Sequence, residues 1–300
     1  MLFSHNLVII RGGGDLATGV AYRLHKAGFP LIITELPQPL VVRRTVALAT
    51  AVLQGEITVE DLHARLVADL QEALNLAFTG TTIPILVAPN IDPLISNLEI
   101  LRSEDYAQND ESQVSSLQFP VSNNPQSPIS VLIDARMAKR NIDTHIDQAL
   151  LVVALGPGFT AGVDCHAVVE TKRGHRLGRV IWDGAALPNT GTPGMVAGKG
   201  KERVLRAPVA GRVDWRLEIG DLVEADELLG VVDGNEIRAP FDGVVRGLIA
   251  PGTQVPKGLK IGDVDARGDP SACYLMSDKA LAIGGGVLEA ILTYLNQARR

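Results

Sequence analysis

The densest run of reactive side chains is GPGFTAGVDCHAVVETKRGHRLGRVIWDG, from Gly156 to Gly184. It contains Asp164, Cys165, His166, Glu170, Lys172, Arg173, His175 and Arg176. Cys165 and His166 are adjacent, so on a strand their side chains point to opposite faces and cannot form a neighbouring thiolate–imidazole pair. Strand spacing groups His166, Val168 and Glu170 on one face, where His166 and Glu170 could handle a proton together. Cys165, Ala167 and Val169 fall on the other face, which reads as buried. Two readings of Cys165 stand side by side. It is a small core residue, or a thiol held at a site by loops backed by Gly158, with Lys172 and Arg173 lowering its pKa. No C-x-x-C or H-x-x-x-H spacing is present, so no metal site is expected. Cys165, His166 and Glu170 are the candidate catalytic residues, and Gly156 and Gly158 of the adjoining turn are candidates for cofactor binding.

A second constellation lies at the start of the chain. Leu7 to Ile10 reads as a buried strand and runs into Gly12-Gly13-Gly14 and Asp15. Ala17, Val20, Ala21 and Leu24 recur at helical spacing, Gly28 stops the helix, and Leu31 to Thr34 is a second strand ending in Glu35. Gly12, Gly14 and Ala17 satisfy G-x-G-x-x-G/A, in which small residues allow a tight turn and close approach of a phosphate. The helix start offers unpaired N–H groups to an anion. Glu35 lies 23 positions after Gly12, where a dinucleotide fold places the acid that meets a ribose hydroxyl. Asp15 puts negative charge where the phosphate would sit, or caps the helix. Arg43 and Arg44, in the first turn of a helix expected from Val41 to Leu53, are set against the helix dipole unless an anion faces them. They are candidates for a second phosphate contact.

Composition narrows the classes. The chain has 300 residues, 46% hydrophobic and 21% charged, which is ordinary for a globular protein of two or three domains. Aromatics at 4% disfavour stacking platforms for single-stranded nucleic acid, and the net charge of −6 disfavours nucleic acid or anionic membrane as the main partner. No cleavable signal is read, and no apolar run approaches the ~20 residues of a membrane span. Two cysteines, Cys165 and Cys273, suggest no disulfide framework, so a cytoplasmic location is expected.

The organisation expected is α/β. A Rossmann-like part spans 1–102, a polar insertion 103–128, and a second α/β part 129–203. A duplicated β module follows at 204–269, and a C-terminal helix at 270–300 packs on the α/β part. Within the first part, Thr58 is expected to open an amphipathic helix with Leu62, Leu66, Leu70 and Leu74 as its stripe. His63 beside that stripe reads as a boundary residue. Strands are expected at Ile83–Ala88, Ser130–Ile133 and Ala149–Leu155. The Gly-rich basic loop from Pro188 to Lys201 is no P-loop, since Pro193 stands where a glycine belongs and Gly200 follows Lys199. In the tail, Gly284–Gly286 reads as a turn before a helix, and Cys273 as core.

Residues 206–237 and 238–269 repeat with a period of 32, pairing among others Arg206 with Arg238, Gly211 with Gly243, Val213 with Val245 and Val232 with Val264. Alternating apolar residues and regular glycine turns indicate short strands, and two such halves would bury each other's faces. The pattern A-P-x-x-G-x-V … G-D-x-V resembles biotinyl and lipoyl carrier domains, implying a barrel-sandwich hybrid. The hairpin that carries their modified lysine reads Val232-Asp233-Gly234-Asn235-Glu236-Ile237 here and contains none. Neither biotin nor lipoate is expected, and the module reads as a docking element.

The stretches IRGGGDLATGVAYRL, PLVVRRTVA, GPGFTAGVDCHAVVETKRGHRLGRVIW, PNTGTPG and GGGVLEAIL resemble the YqeB-type accessory family of selenium-dependent molybdenum hydroxylases. The likeness extends more distantly to XdhC-type maturation factors. It implies a maturation role: helping selenium, or the molybdenum cofactor, reach a xanthine dehydrogenase-like client hydroxylase. Gly12 to Ala17, Glu35 and Arg43/Arg44 would hold a pyranopterin phosphate or dinucleotide, and Cys165 would relay selenium or sulfur. The alternative is an oxidoreductase using NAD(P) at the same glycine turn, which lacks a second constellation for a hydride substrate.

Overall fold

The structure, a computed structural model, describes residues 1–98, 130–191, 195 and 197–297. The polar insertion expected at 103–128 lies outside the described residues. The chain is mixed α/β, with one large, mostly parallel sheet and smaller antiparallel sheets.

The first unit forms as the sequence dictates. Strand β1 (Val8–Arg11) leads through the glycine turn into helix α1 (Asp15–Ala27) and strand β2 (Leu31–Glu35). Gly28 ends α1 in the left-handed conformation (φ 88°), its N–H bonding the carbonyls of His25 and Leu24. Asp15 makes no side-chain cap, which corrects the capping reading.

The next stretch departs from expectation twice. In place of one helix from Val41 to Leu53 there are two short 3₁₀ turns, Arg44–Val46 and Leu48–Thr50, and then helix α2 (Ala51–Gln54). In place of a helix opening at Thr58 there is a hairpin, β3 (Glu56–Val59) and β4 (Leu62–Val67), turning at Glu60 with φ 55°. Leu62 and Ala64 alternate inward as a strand requires, so the four-residue leucine spacing runs across two different elements, β4 for Leu62 and Leu66 and the next helix for Leu70 and Leu74. Helix α3 (Leu70–Thr79) starts later, capped by Asp69, which accepts the Glu72 N–H at 2.9 Å while Glu72 accepts the Ala68 N–H at 2.9 Å.

Strand β5 (Ile83–Val87) and helix α4 at 92–98 come next, followed by β6 (Val131–Asp134) and β7 (Leu151–Leu155). The short strands β8 (Thr160–Ala161), β9 (Ala167–Val169), β10 (Val180–Ile181) and β11 (Gly184–Ala185) complete this part. The large sheet runs β10-β9-β7-β6-β1-β2-β5-β4-β3, parallel except for its two edge strands. Leaving aside the β3–β4 hairpin, the parallel strands have the order 3-2-1-4-5-6, which reverses direction between β1 and β6. Val8, Ile10, Leu31 and Ile33 face α1 and the C-terminal helix, while Ile9, Ile32, Leu132 and Val152 face α3 and the 159–168 segment.

The repeat folds as two four-stranded antiparallel sheets around one core. Its first half gives β12 (Val204–Arg206), β13 (Gly211–Trp215), β14 (Leu222–Val223) and β15 (Leu228–Val232). Its second gives β16 (Asn235–Arg238), β17 (Gly243–Leu248), β18 (Gln254–Val255) and β19 (Lys260–Asp265). The sheets are β12-β19-β17-β14 and β16-β15-β13-β18, so the 32-residue shift converts one into the other. The paired valines 213, 245, 232 and 264 are all fully buried between them.

Helix α5 (Asp278–Gln297) runs straight through Gly284–Gly286, correcting the expected turn. A Cβ on Gly284 would lie 2.3 Å from the Gly19 carbonyl oxygen of α1, and one on Gly286 2.1 Å from that of Gly178. The glycines let α5 approach backbone to backbone.

Candidate functional site

A cavity of about 990 Å³ opens where the carboxyl ends of the parallel strands meet the β module. Its sheet side is built from residues that follow β1 (Asp15, Leu16), β6 (Met137, Lys139), β7 (Pro157) and β9 (Glu170 to Gly174). Ligands of open α/β sheets bind at this edge, beside the point where strand order reverses. Its other side comes from Arg203, Val204 and Arg206 and from Gly258 to Lys260, Asp263 and Arg246 of the module.

The cleft is cationic in an acidic protein. Lys139, Lys172, Arg173 and Lys279 line the sheet side, Arg203, Arg206, Arg246 and Lys260 the module side, and Arg43 joins them. Three acids, Asp15, Glu170 and Asp263, also line it; Asp278 and Asp265 pair with Arg173 and Arg246 from outside the lining. Nine cations against five carboxylates leave an excess of four positive charges. The starts of α1 and α5 both open here, adding the positive ends of two helix dipoles. Burial lowers the pKa of Lys260 and of Lys279, and Asp15 acts against the shift in both. The arrangement suits a ligand with several negative charges.

The two walls are tied together by the segment after β2. Arg43 donates to the carbonyls of Ala272 (3.2 Å) and Leu275 (3.3 Å), and pairs with Asp15 at 3.5 Å. Arg44 Nε donates to the Leu248 carbonyl at 2.7 Å, and Thr45 Oγ1 to that of Cys273 at 2.6 Å. Arg44 therefore anchors the module and does not line the cleft. These charge-assisted bonds fix the cleft's width.

The glycine turn is packed shut by protein. Glu35 accepts the Gly13 N–H at 2.8 Å and the Leu36 N–H at 2.8 Å, occupying a backbone donor that a phosphate would need. A Cβ on Gly13 would lie 2.8 Å from the Ala49 nitrogen, and one on Gly12 3.1 Å from Arg136 Cα. Ala17 is fully buried. Gly12, Gly13, Gly14, Ala17 and Glu35 are not among the residues that line the cleft; of that constellation only Asp15 and Arg43 are. Gly156 and Gly158 also serve packing, since a Cβ on either would lie 2.4 Å from Thr171 Oγ1 or 2.5 Å from the Arg140 backbone.

Cys165 is a core residue. It is fully buried against Phe159, Ala161 and Val168, and its Sγ points to the Thr160 carbonyl at 4.0 Å. Burial, reinforced by Asp164, pushes its thiol up to about 12, so at pH 7 the thiol keeps its proton. The expected lowering by Lys172 and Arg173 is thus overturned: both are exposed and line the cleft. The expected faces are corrected too, because a bridge from Cys165 to Ala161 puts the thiol with Val168. His166 Nδ1 accepts the Val152 N–H at 2.9 Å and its ring meets Tyr294 edge-on. Burial lowers its pKa, and the bond leaves the neutral ring's proton on Nε2. Glu170 faces the cleft alone, accepting the N–H groups of Lys172 (2.7 Å) and Leu187 (2.8 Å). The three residues are not brought together.

No family model matches the chain. It is similar to a protein of Escherichia coli (strain K12) named "Uncharacterized protein YqeB", with 45% identity over 293 residues. The match covers 98% of this chain and 48% of that protein, so the chain spans about half the length of the curated relative it matches. This agrees with the YqeB part of the likeness drawn from the motifs. A solved aspartoacylase family protein from Mesorhizobium loti aligns over 87% of this chain and 84% of its own. Its identity is 10% and its TM-score 0.24, and the likeness carries no argument.

The cleft residues that sequence reasoning missed are Lys139, Arg203, Arg246, Lys260 and Lys279. One signal was present. Where the first repeat has Asp214 and Leu228, the second has Arg246 and Lys260, a switch to positive charge confined to one half. Beneath the cleft, buried Arg11 pairs with Asp143 (2.8 Å), which also pairs with Arg136 (2.8 Å). Among the described residues no group of acidic, histidine or cysteine side chains could hold a metal ion, and no helix is long and apolar enough to cross a membrane.

Proposed function

We propose that this chain is an accessory factor in the maturation of selenium-dependent molybdenum hydroxylases, and that it holds a phosphorylated pterin cofactor as cargo in the cationic cleft. The observation that carries this reading is the cleft's excess positive charge at the carboxyl ends of β1, β6, β7 and β9. The resemblance of the quoted motifs to the YqeB-type and XdhC-type families supplies the cargo. On this reading the large sheet is Rossmann-like, supported by its 3-2-1-4-5-6 order, with the ligand displaced from the glycine turn toward the module. The module is a barrel-sandwich hybrid of the biotinyl/lipoyl type, supported by the interchange of its two sheets. Its hairpin turns at Asp233-Gly234 with φ of 42° and 78° and offers no lysine, so the module serves as a fixed wall. A selenium relay through Cys165 is no part of the reading. Neither is NAD(P) at the glycine turn, where Glu35 already holds the Gly13 amide.

The test is co-expression of a client hydroxylase with this chain, scoring the client's molybdenum content and activity. Lys260→Met/Lys279→Met should lower both about tenfold with a melting temperature no lower than that of the wild type, and Cys165→Ala should leave both intact. Full client activity with the double variant would contradict the proposal.

A further inference from the structure

We infer that the cleft takes a ligand with two separate anionic groups, one seated on each wall, flanking the Asp15 carboxylate. This rests on reading the cleft as an anion site and specifies its ligand. The cations fall into two groups by the wall that carries them. On the module wall Asp263 pairs with Arg203 and, at 4.0 Å, with Lys260, and Arg246 lies 3.5 Å from Asp265. On the sheet wall Lys139, Arg173 and Lys279 line the cleft, with Arg173 paired to Asp278 at the start of α5. Asp15, at the start of α1, lines the cleft with both groups and meets Arg43 at 3.5 Å, whose other bonds run to the Ala272 and Leu275 carbonyls of the segment that follows the module. A single phosphate, or two fused ones, would set its charge against that carboxylate. A ligand whose anionic groups are separated by an uncharged body avoids the conflict, and about 990 Å³ has room for it.

Each wall shows its own sign of having been shaped. On the sheet wall, Met137 and Lys139 both adopt left-handed backbone (φ 57° and 62°), a conformation that non-glycine residues hold only under constraint. Asp134 fixes it by accepting the Arg136 N–H at 3.1 Å, and Gly158 packs so closely on Arg140 that no Cβ would fit. The strain delivers Lys139 to the cleft. On the module wall, Arg246 and Lys260 break the repeat, and the buried Nε of both Arg43 and Arg246 lack a hydrogen-bond partner.

Calorimetric titration of the purified chain with fructose 1,6-bisphosphate, fructose 6-phosphate, pyrophosphate and inorganic phosphate tests this. The bisphosphate should bind about tenfold tighter than the other three, because its second group binds intramolecularly. Lys139→Met and Lys260→Met should each reduce the bisphosphate to within about twofold of the monophosphate, with Lys139→Arg restoring it and no melting temperature falling below that of the wild type. Pyrophosphate matching the bisphosphate, no preference over the monophosphate, or sensitivity to one lysine alone would overturn the two-group inference and leave the anion site standing. Failure of all four probes to bind would overturn both.

Discussion

A buried thiol with its pKa pushed to about 12 reacts with almost nothing, and Cys165 sits in such a place. Native protein should therefore resist iodoacetamide at pH 8, while denatured protein should gain two adducts by mass, at Cys165 and Cys273. Cys165→Ala should cost roughly 1 kcal/mol of stability through the lost packing. Glu35 makes a second prediction at this scale. Its carboxylate holds two backbone N–H groups, so Glu35→Gln should lower stability by roughly 1–2 kcal/mol. Because Glu35 does not line the cleft, anion affinity measured by calorimetry should not change. A nucleotide on the glycine turn would instead lose affinity in that variant.

Elements are placed here by backbone contact as much as by side chains. Glycine inside a helix costs roughly 0.5–1 kcal/mol relative to alanine, and α5 carries three in a row. Two of them are explained by contact with α1 and with Gly178, while Gly285 meets nothing within 4 Å. Gly284→Ala should destabilise by roughly 1–3 kcal/mol or more, and Gly285→Ala should stabilise by roughly 0.5–1 kcal/mol, both read from chemical denaturation midpoints. The same contacts show what a sequence reveals. The β1–α1–β2 unit and the repeat were legible because their signals are local: a buried run, a helical stripe, a stop glycine, a fixed period. The Gly284–Gly286 run looked like a turn because its reason, Gly19, lies far away in sequence. The β3–β4 hairpin was missed because its leucines match a helical spacing, while the true cap, Asp69 with Glu72, lay further along.

At the scale of the whole molecule, the cleft could not be read from the sequence because its cations come from seven separate stretches that only the fold assembles. The chain carries 28 basic and 34 acidic residues, so this excess is a local reversal. Burial lowers the pKa of Lys260 and Lys279, so the unfolded chain binds their protons more readily than the folded one. Stability should rise with pH between those lowered values and the ordinary 10.5, and a bound anion should flatten the rise, as thermal melts with and without phosphate would show. Anion affinity should fall as pH climbs through the same interval, and fall with added salt. The proposed function puts a phosphorylated pterin in this cleft. The measurement that addresses it most directly is native mass spectrometry of the chain produced alongside molybdenum cofactor synthesis, as wild type and as Lys260→Met/Lys279→Met. A phosphorylated pterin is expected on the wild type and none on the double variant. Equal retention by both, or recovery of NAD(P) in its place, would contradict it.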